Sequence, residues 1–140
     1  MTTVGKNVTT SANTSIDAYR QLELQTKVDG ATPHELIDML FNGARDKLNQ
    51  AEGYIERGDI EARTAAVNTV VEILVGLQAS LDHDKGPDVA GNLDSLYDYM
   101  QRRMFQANAD NDLVALREVR DLLDTVQSAW VAIGVQVSAG

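Results

Sequence analysis

Apolar residues along most of this chain recur at alternating steps of three and four, the spacing that holds them on one side of an α-helix. From Pro33 to Arg57 the series is Ile37, Phe41, Ala44, Leu48, Ala51 and Ile55, the seam expected of a bundle helix. Ahead of it, Thr32-Pro33-His34-Glu35 matches a capping box with proline at the first helical position. Gly58-Asp59 stops this helix and caps the next. A second helix over 60–82 carries Ile60, Val67, Val70, Leu74, Leu77 and Leu81, together with Val71, Ile73 and Val75, which a single seam cannot use. After the turn His83-Asp84-Lys85-Gly86, a third helix over 87–108 aligns Val89, Leu93, Leu96, Met100, Met104 and Ala107. Tyr97 flanks that stripe, while Tyr99 and Phe105 point elsewhere. Asp88 in its first turn and Arg102-Arg103 near its end each suit the helix dipole. The polar cluster from Asn108 to Asp112 offers several N-caps for a fourth helix over 112–134, with Leu116, Val119, Leu123, Val126 and Trp130 on its seam.

Four helices of about 20 to 25 residues, each roughly 30 to 36 Å long, are thus joined by turns of only a few residues. Links that short make neighbours antiparallel, so the pattern predicts an all-α, up-down-up-down four-helix bundle over 15–134. Residues 1–14 are polar, Thr-rich and aperiodic and are expected to form a flexible tail. Residues 15–28 form a short amphipathic segment in which Ile16, Tyr19 and Leu22 share a face. Two or three turns do not hold together alone in water, so this piece must dock or fray. Residues 135–140 have no pattern and are expected to fray.

Composition narrows the partners. Aromatics are only 5% against a hydrophobic content of 44%, so aliphatic residues and alanine must build the core. The formal charge of −9 repels a phosphate backbone, which speaks against nucleic acid and anionic membrane surfaces. There is no cysteine to form a disulfide, a thiol nucleophile or a thiolate metal site. No run is long enough to insert in a membrane and no secretory signal pattern is present, so the cytoplasm is the expected compartment.

A bundle enzyme needs ionisable side chains projecting into its core. None of the four seams contains one. His34-Glu35-Leu36-Ile37-Asp38 resembles a zinc helix motif only until the last position, where a second histidine is required. Asp82-His83-Asp84 falls in a solvated turn. Asp110-Asn111-Asp112 starts like a calcium loop, but Leu113, Val114 and Ala115 remove the required oxygen and glycine. The expectation is no enzyme, no metal and no cofactor.

The unexplained feature is apolar surplus. Helix 2 is apolar around more of its circumference than a bundle position demands, and Leu36, Met39, Tyr97, Tyr99 and Phe105 lie beyond the seams. Such surplus marks a binding groove or a self-association face, although a wide bundle also uses two seams per helix. Gly43, Gly53, Gly76 and Gly91 each cost roughly 1 kcal/mol against alanine within a helix, tolerable where another backbone comes close. These features suggest a helix-in-groove binder, with methionine supplying adaptability. Candidate groove residues are Leu36, Met39, Leu40, Val71, Val75, Tyr97 and Met104. The N-terminal segment, with Tyr19, would lie over the groove when no partner is present.

Several local motifs resemble the FliS-type flagellar export chaperones. They are S/T-P-H-x-L-I-x-M-L-F-x-G-A at Thr32 to Ala44, G-D at Gly58-Asp59, and L-D-x-x-K-G at Leu81 to Gly86. Further along come N-L-x-x-L-Y-D-Y-M-x-R-R at Asn92 to Arg103, A-N-x-x-N-D at Ala107 to Asp112, E-V-x-x-L-L at Glu118 to Leu123, and Ala129-Trp130. The resemblance implies an antiparallel bundle that shields the disordered C-terminal segment of flagellin, prevents premature polymerisation and delivers it to the export gate of the flagellar type III apparatus. It also implies that an anti-sigma factor is a partner of some members, and that Ala18-Tyr19 is the counterpart of a tyrosine used in partner handling. The chain departs from the family at Gly86-Pro87-Asp88, where Gly-Gly-Glu is usual, and in residues 1–10, which extend beyond the common start. The competing reading is a self-associating helical-bundle adaptor with a different protein client, or a homodimer in the client-free state.

Overall fold

The structure, a computed structural model, describes residues 32–139, with side chains through Ala132. The expectations for the tail 1–14 and the segment 15–28, Tyr19 included, lie outside the described residues. Four helices follow in order: α1 Pro33–Arg57, α2 Ile60–Ala79, α3 Pro87–Asp110 and α4 Leu113–Ala139.

Local chemistry sets most of the boundaries. The Thr32 hydroxyl accepts from the Glu35 amide at 3.0 Å, and the Glu35 carboxylate accepts from the Thr32 amide at 2.8 Å. This reciprocal pair satisfies two of the amides a helix start leaves orphaned. Gly58, at φ 72°, turns left-handed to end α1, a conformation open to glycine without a Cβ penalty. Asp59 then caps α2 by accepting from the Ala62 amide at 3.2 Å. Asn111, at φ 55°, makes the equivalent turn after α3, and Asp112 caps α4 by accepting from the Ala115 amide at 3.1 Å. The pattern runs α2 on to Asp82, but the helix ends at Ala79. There the Ser80 hydroxyl donates to the Leu77 carbonyl at 2.7 Å, which tightens the last turn, while Leu81 still packs against the core.

The helices touch in a ring, α1 with α2, α2 with α3, α3 with α4 and α4 with α1, and no diagonal pair meets. Side-chain links across α1 and α4 run in opposite chain order, from His34 with Trp130 to Glu52 with Arg117, so these helices are antiparallel. The links of Arg63 to Asn108 and of Gln78 to the Asp94 carbonyl show the same for α2 and α3. The described residues thus form an all-helical, four-helix bundle.

Phe41, Leu48, Val67, Val70, Leu74, Leu77, Met100, Met104, Leu116 and Leu123 fill the interior. Burying a side chain of this size stabilises the fold by about 1.5–3 kcal/mol. Two seam positions are not part of it: Ile60 is 63% and Val89 65% exposed. Each lies in the first turn of its helix, beyond the point where the neighbours close over it. Tyr97 does the reverse. It joins Met100 and Met104 in the core, because it stands three and seven residues before them on the same face. The expectation of close backbone approach fails at two glycines: a Cβ at Gly91 meets nothing within 4 Å, and one at Gly53 meets only the Arg57 side chain.

Candidate binding cleft

At the end of the bundle where α1 and α3 begin and α2 finishes, the four seams stop meeting one another. Leu36 and Ile37 of α1, Leu81 after α2, Leu93 of α3 and Val126 of α4 face a cleft of about 760 Å³, with Phe41, Leu77 and Tyr97 also lining it. The lining is mostly aliphatic and aromatic. Its volume and apolar walls suit a few inserted apolar side chains. Asp82, Ser80 and Thr125 contribute the polar part of the lining.

His34 and Trp130, which also line this cleft, form a clasp between α1 and α4. Their rings stack with centroids 4.3 Å apart and planes 3° from parallel. The indole N–H donates to the His34 carbonyl at 3.0 Å, and His34 Nε2 lies 2.5 Å from the Trp130 carbonyl, to which it donates as the Nε2–H tautomer. The imidazole is therefore committed to a backbone oxygen and to an aromatic face. Among the described residues no nucleophile is paired with it. Burial pushes the Tyr97 phenol up to about 12, so it stays neutral and serves as an apolar wall. Among the described residues no group of three or more His, Cys, Asp or Glu side chains is placed to hold a metal. The arrangement can bind an apolar partner.

Away from the cleft, α1 and α4 meet along a polar margin. Arg117 and Arg120 hold the Glu52 carboxyl below its ordinary range, with contacts of 2.9 and 2.6 Å. Between α3 and α4, the Tyr99 hydroxyl donates to Glu118 at 2.7 Å and Arg103 to the same carboxylate at 2.6 Å. These two hydrogen bonds lower the Glu118 pKa, that from Tyr99 most.

Of the residues singled out from sequence, Leu36 and Tyr97 line the cleft. Met39, Leu40 and Met104 are buried within the bundle and do not line it. Val71 and Val75 are half-buried on α2, Val71 packed against the core. Tyr19 lies outside the described residues. The reading from sequence missed His34, Ile37, Phe41, Leu93, Val126 and Trp130. A signal for most of these existed: Ile37, Leu93, Val126 and Trp130 are, with Leu81 and Val89, the seam residues nearest one common end of the bundle.

Comparison with known proteins agrees with the residues. The family described as "Flagellar protein FliS" matches residues 15–137. A flagellar secretion chaperone FliS of Salmonella typhimurium is 44% identical over 124 residues, which are 88% of this chain and 92% of the relative. The flagellar secretion chaperone FliSB of Pseudomonas aeruginosa is 40% identical over 115 residues, 82% of this chain and 91% of the relative. The FliS chaperone of Bacillus subtilis is 33% identical over 106 residues, 76% of this chain and 78% of the relative. With a capped four-helix ring, an apolar cleft at one end and similarity of this extent, the chain belongs to the FliS flagellar secretion chaperone family.

Proposed function

We propose that this protein is a cytoplasmic chaperone that binds the disordered C-terminal region of flagellin, keeps it from polymerising early and delivers it to the flagellar type III export gate. The observation that carries this reading is the open apolar cleft at one end of the bundle. A segment that is amphipathic and unfolded before assembly needs apolar surface in place of its neighbouring subunit, and the cleft supplies it. Ordering such a segment subtracts from the gross interaction energy, which keeps release for export feasible. The N-terminal segment 15–28 would cover the apolar surface when no client is present, with Tyr19 as its contact residue. Val71, Val75, Met39, Leu40 and Met104 extend the proposed client surface or support it from beneath. Among the described residues no helix is long and apolar enough to cross a membrane.

The test is calorimetric titration with the C-terminal peptide of the host's flagellin. Binding at equal stoichiometry, a negative heat-capacity change and a gain of helix are expected. Absence of both heat and helix gain at every temperature would refute it. Phe105 at 54% and Val114 at 71% exposure favour a second reading, self-association. That reading predicts a stable client-free dimer by sedimentation and no peptide binding. An export-gate component and an anti-sigma factor are further proposed partners.

A further inference from the structure

Gln127 is 6% exposed and is the one buried polar side chain among the described residues. Its amide is committed entirely to α1. Nε2 donates to Asn42 Oδ1 at 2.7 Å and to Asp38 Oδ1 at 3.0 Å, while Oε1 accepts from Arg45 Nη2 at 2.6 Å. Both donors and one acceptor position are thereby used by residues spaced along a single face of α1.

The apolar seam of α4 does not distinguish one register from another so sharply. Leu116, Val119, Leu123 and Val126 are alike enough that a slide by one turn, about 5.4 Å, exchanges one aliphatic for another. The same slide would take the Gln127 amide, itself only 6% exposed, away from all three of its partners, and an unmade hydrogen bond at a buried amide is costly. Of the remaining α1–α4 links, the His34–Trp130 clasp holds the cleft end of α4 alongside Gln127, while the ion pairs along the margin are weaker guides. Arg45 with Asp124 and Arg117 with Glu52 are partly exposed ion pairs on long side chains, a class worth little. Thr125, Val126, Ala129 and Trp130, the residues around Gln127 in the chain, form the α4 wall of the cleft.

We infer that Gln127 is a positioning residue: it fixes the register of α4 on α1 and so places the Val126 and Trp130 wall of the cleft. Its role is to specify one arrangement rather than to add stability, the best-attested use of a buried polar group. The effect on client affinity rests on the binding role proposed above; the effect on Trp130 does not.

The variant Gln127→Met keeps a similar shape and removes the hydrogen bonds. Asp38 and Asn42 are half-buried and exposed, so water can replace the lost amide and the melting temperature should change little. Trp130 is the sole tryptophan, which makes its fluorescence specific to the cleft wall. In Gln127→Met its emission should shift to longer wavelength and acrylamide should quench it more strongly. Flagellin peptide affinity should fall about tenfold. Asn42→Ala, at an exposed position, should give a smaller change of the same kind, and Asp124→Ala should leave Trp130 as in the parent. Unchanged Trp130 emission and quenching in Gln127→Met would overturn the inference. So would an equal change in Asp124→Ala, or a collapse in melting temperature that makes Gln127 an ordinary stabilising contact. A parent protein that binds no peptide would remove the chaperone reading, while the quenching comparison would still decide the role of Gln127.

Discussion

Where α1 passes into α2 and α3 into α4, each link takes two residues, and Arg63 ties the two corners together. Its Nε donates to Asn108 and its Nη1 to Asn111, both at 2.7 Å, and Ala51, Ile55, Ala66, Ala107 and Ala115 close the space beneath. At the opposite end the only link is the longer stretch 80–86, and the seams run out against a cleft instead of against one another. Small side chains and tight left-handed turns let the helices converge at the first end. Leucine, valine and aromatic residues at the second leave apolar surface facing outward. On the proposed function, stability and binding are divided between the two ends, and substitutions should separate them.

The largest expected effect is on stability toward the sealed half. Leu116 is fully buried there, so Leu116→Ala should cost about 2–5 kcal/mol in a denaturant titration. Peptide affinity, measured on the folded fraction, should hold. A cost under 1 kcal/mol would show that this half is not the stabilising one. The next effect is on binding at the open end. Leu36 is half-buried on the cleft wall, so Leu36→Asp should weaken flagellin peptide binding at least tenfold, or about 1.4 kcal/mol, with little change in melting. The matched variant Val71→Asp, at a half-buried position of α2 that packs against the core, sharpens this. If Val71→Asp abolishes binding and Leu36→Asp does not, the client lies along α2 and not in the cleft.

A smaller effect concerns the tight turn itself. Asp59→Ala removes the cap on the Ala62 amide and should lower stability by about 1 kcal/mol, measured by thermal melting, with binding untouched. The smallest is in acid. Glu52 and Glu118 have lowered pKa values in the folded state, so they bind fewer protons than in the unfolded chain. The stability they contribute is present above the ordinary glutamate range and disappears as pH falls through their lowered folded-state values. Glu52→Gln should flatten that part of a stability-against-pH curve and leave the neutral-pH cleft unchanged. An identical acid slope in the variant would remove Glu52 from the account.

How much of this could be read beforehand depends on the range of the interactions concerned. Thr32, Glu35, Gly58, Asp59 and Asp112 act on amides within a few residues, and α1, α2 and α4 start or stop on them. Seam residues such as Phe41, Leu48 and Leu74 also declare themselves, because their spacing needs no partner to be recognised. Ile60 and Val89 have the same spacing and remain exposed, since burial depends on whether another helix reaches that far. Leu36 and Tyr97 stood out as surplus and lie on the cleft, but Met39 stood out equally and is buried within the bundle. Periodicity identifies a face of a helix without saying what stands opposite.

The sequence by itself determined four amphipathic helices, their capped ends, apolar seams free of charged residues, and motifs shared with FliS chaperones. These properties depend on neighbours in the chain and on the sum of its side chains. Only the tertiary structure decided that the seams part at one end, that His34 stacks on Trp130 across 96 positions, and that Gln127 meets Asp38, Asn42 and Arg45 where α4 lies against α1. Those contacts join residues far apart in the chain, and they exist only once helix lengths, register and packing have been fixed together.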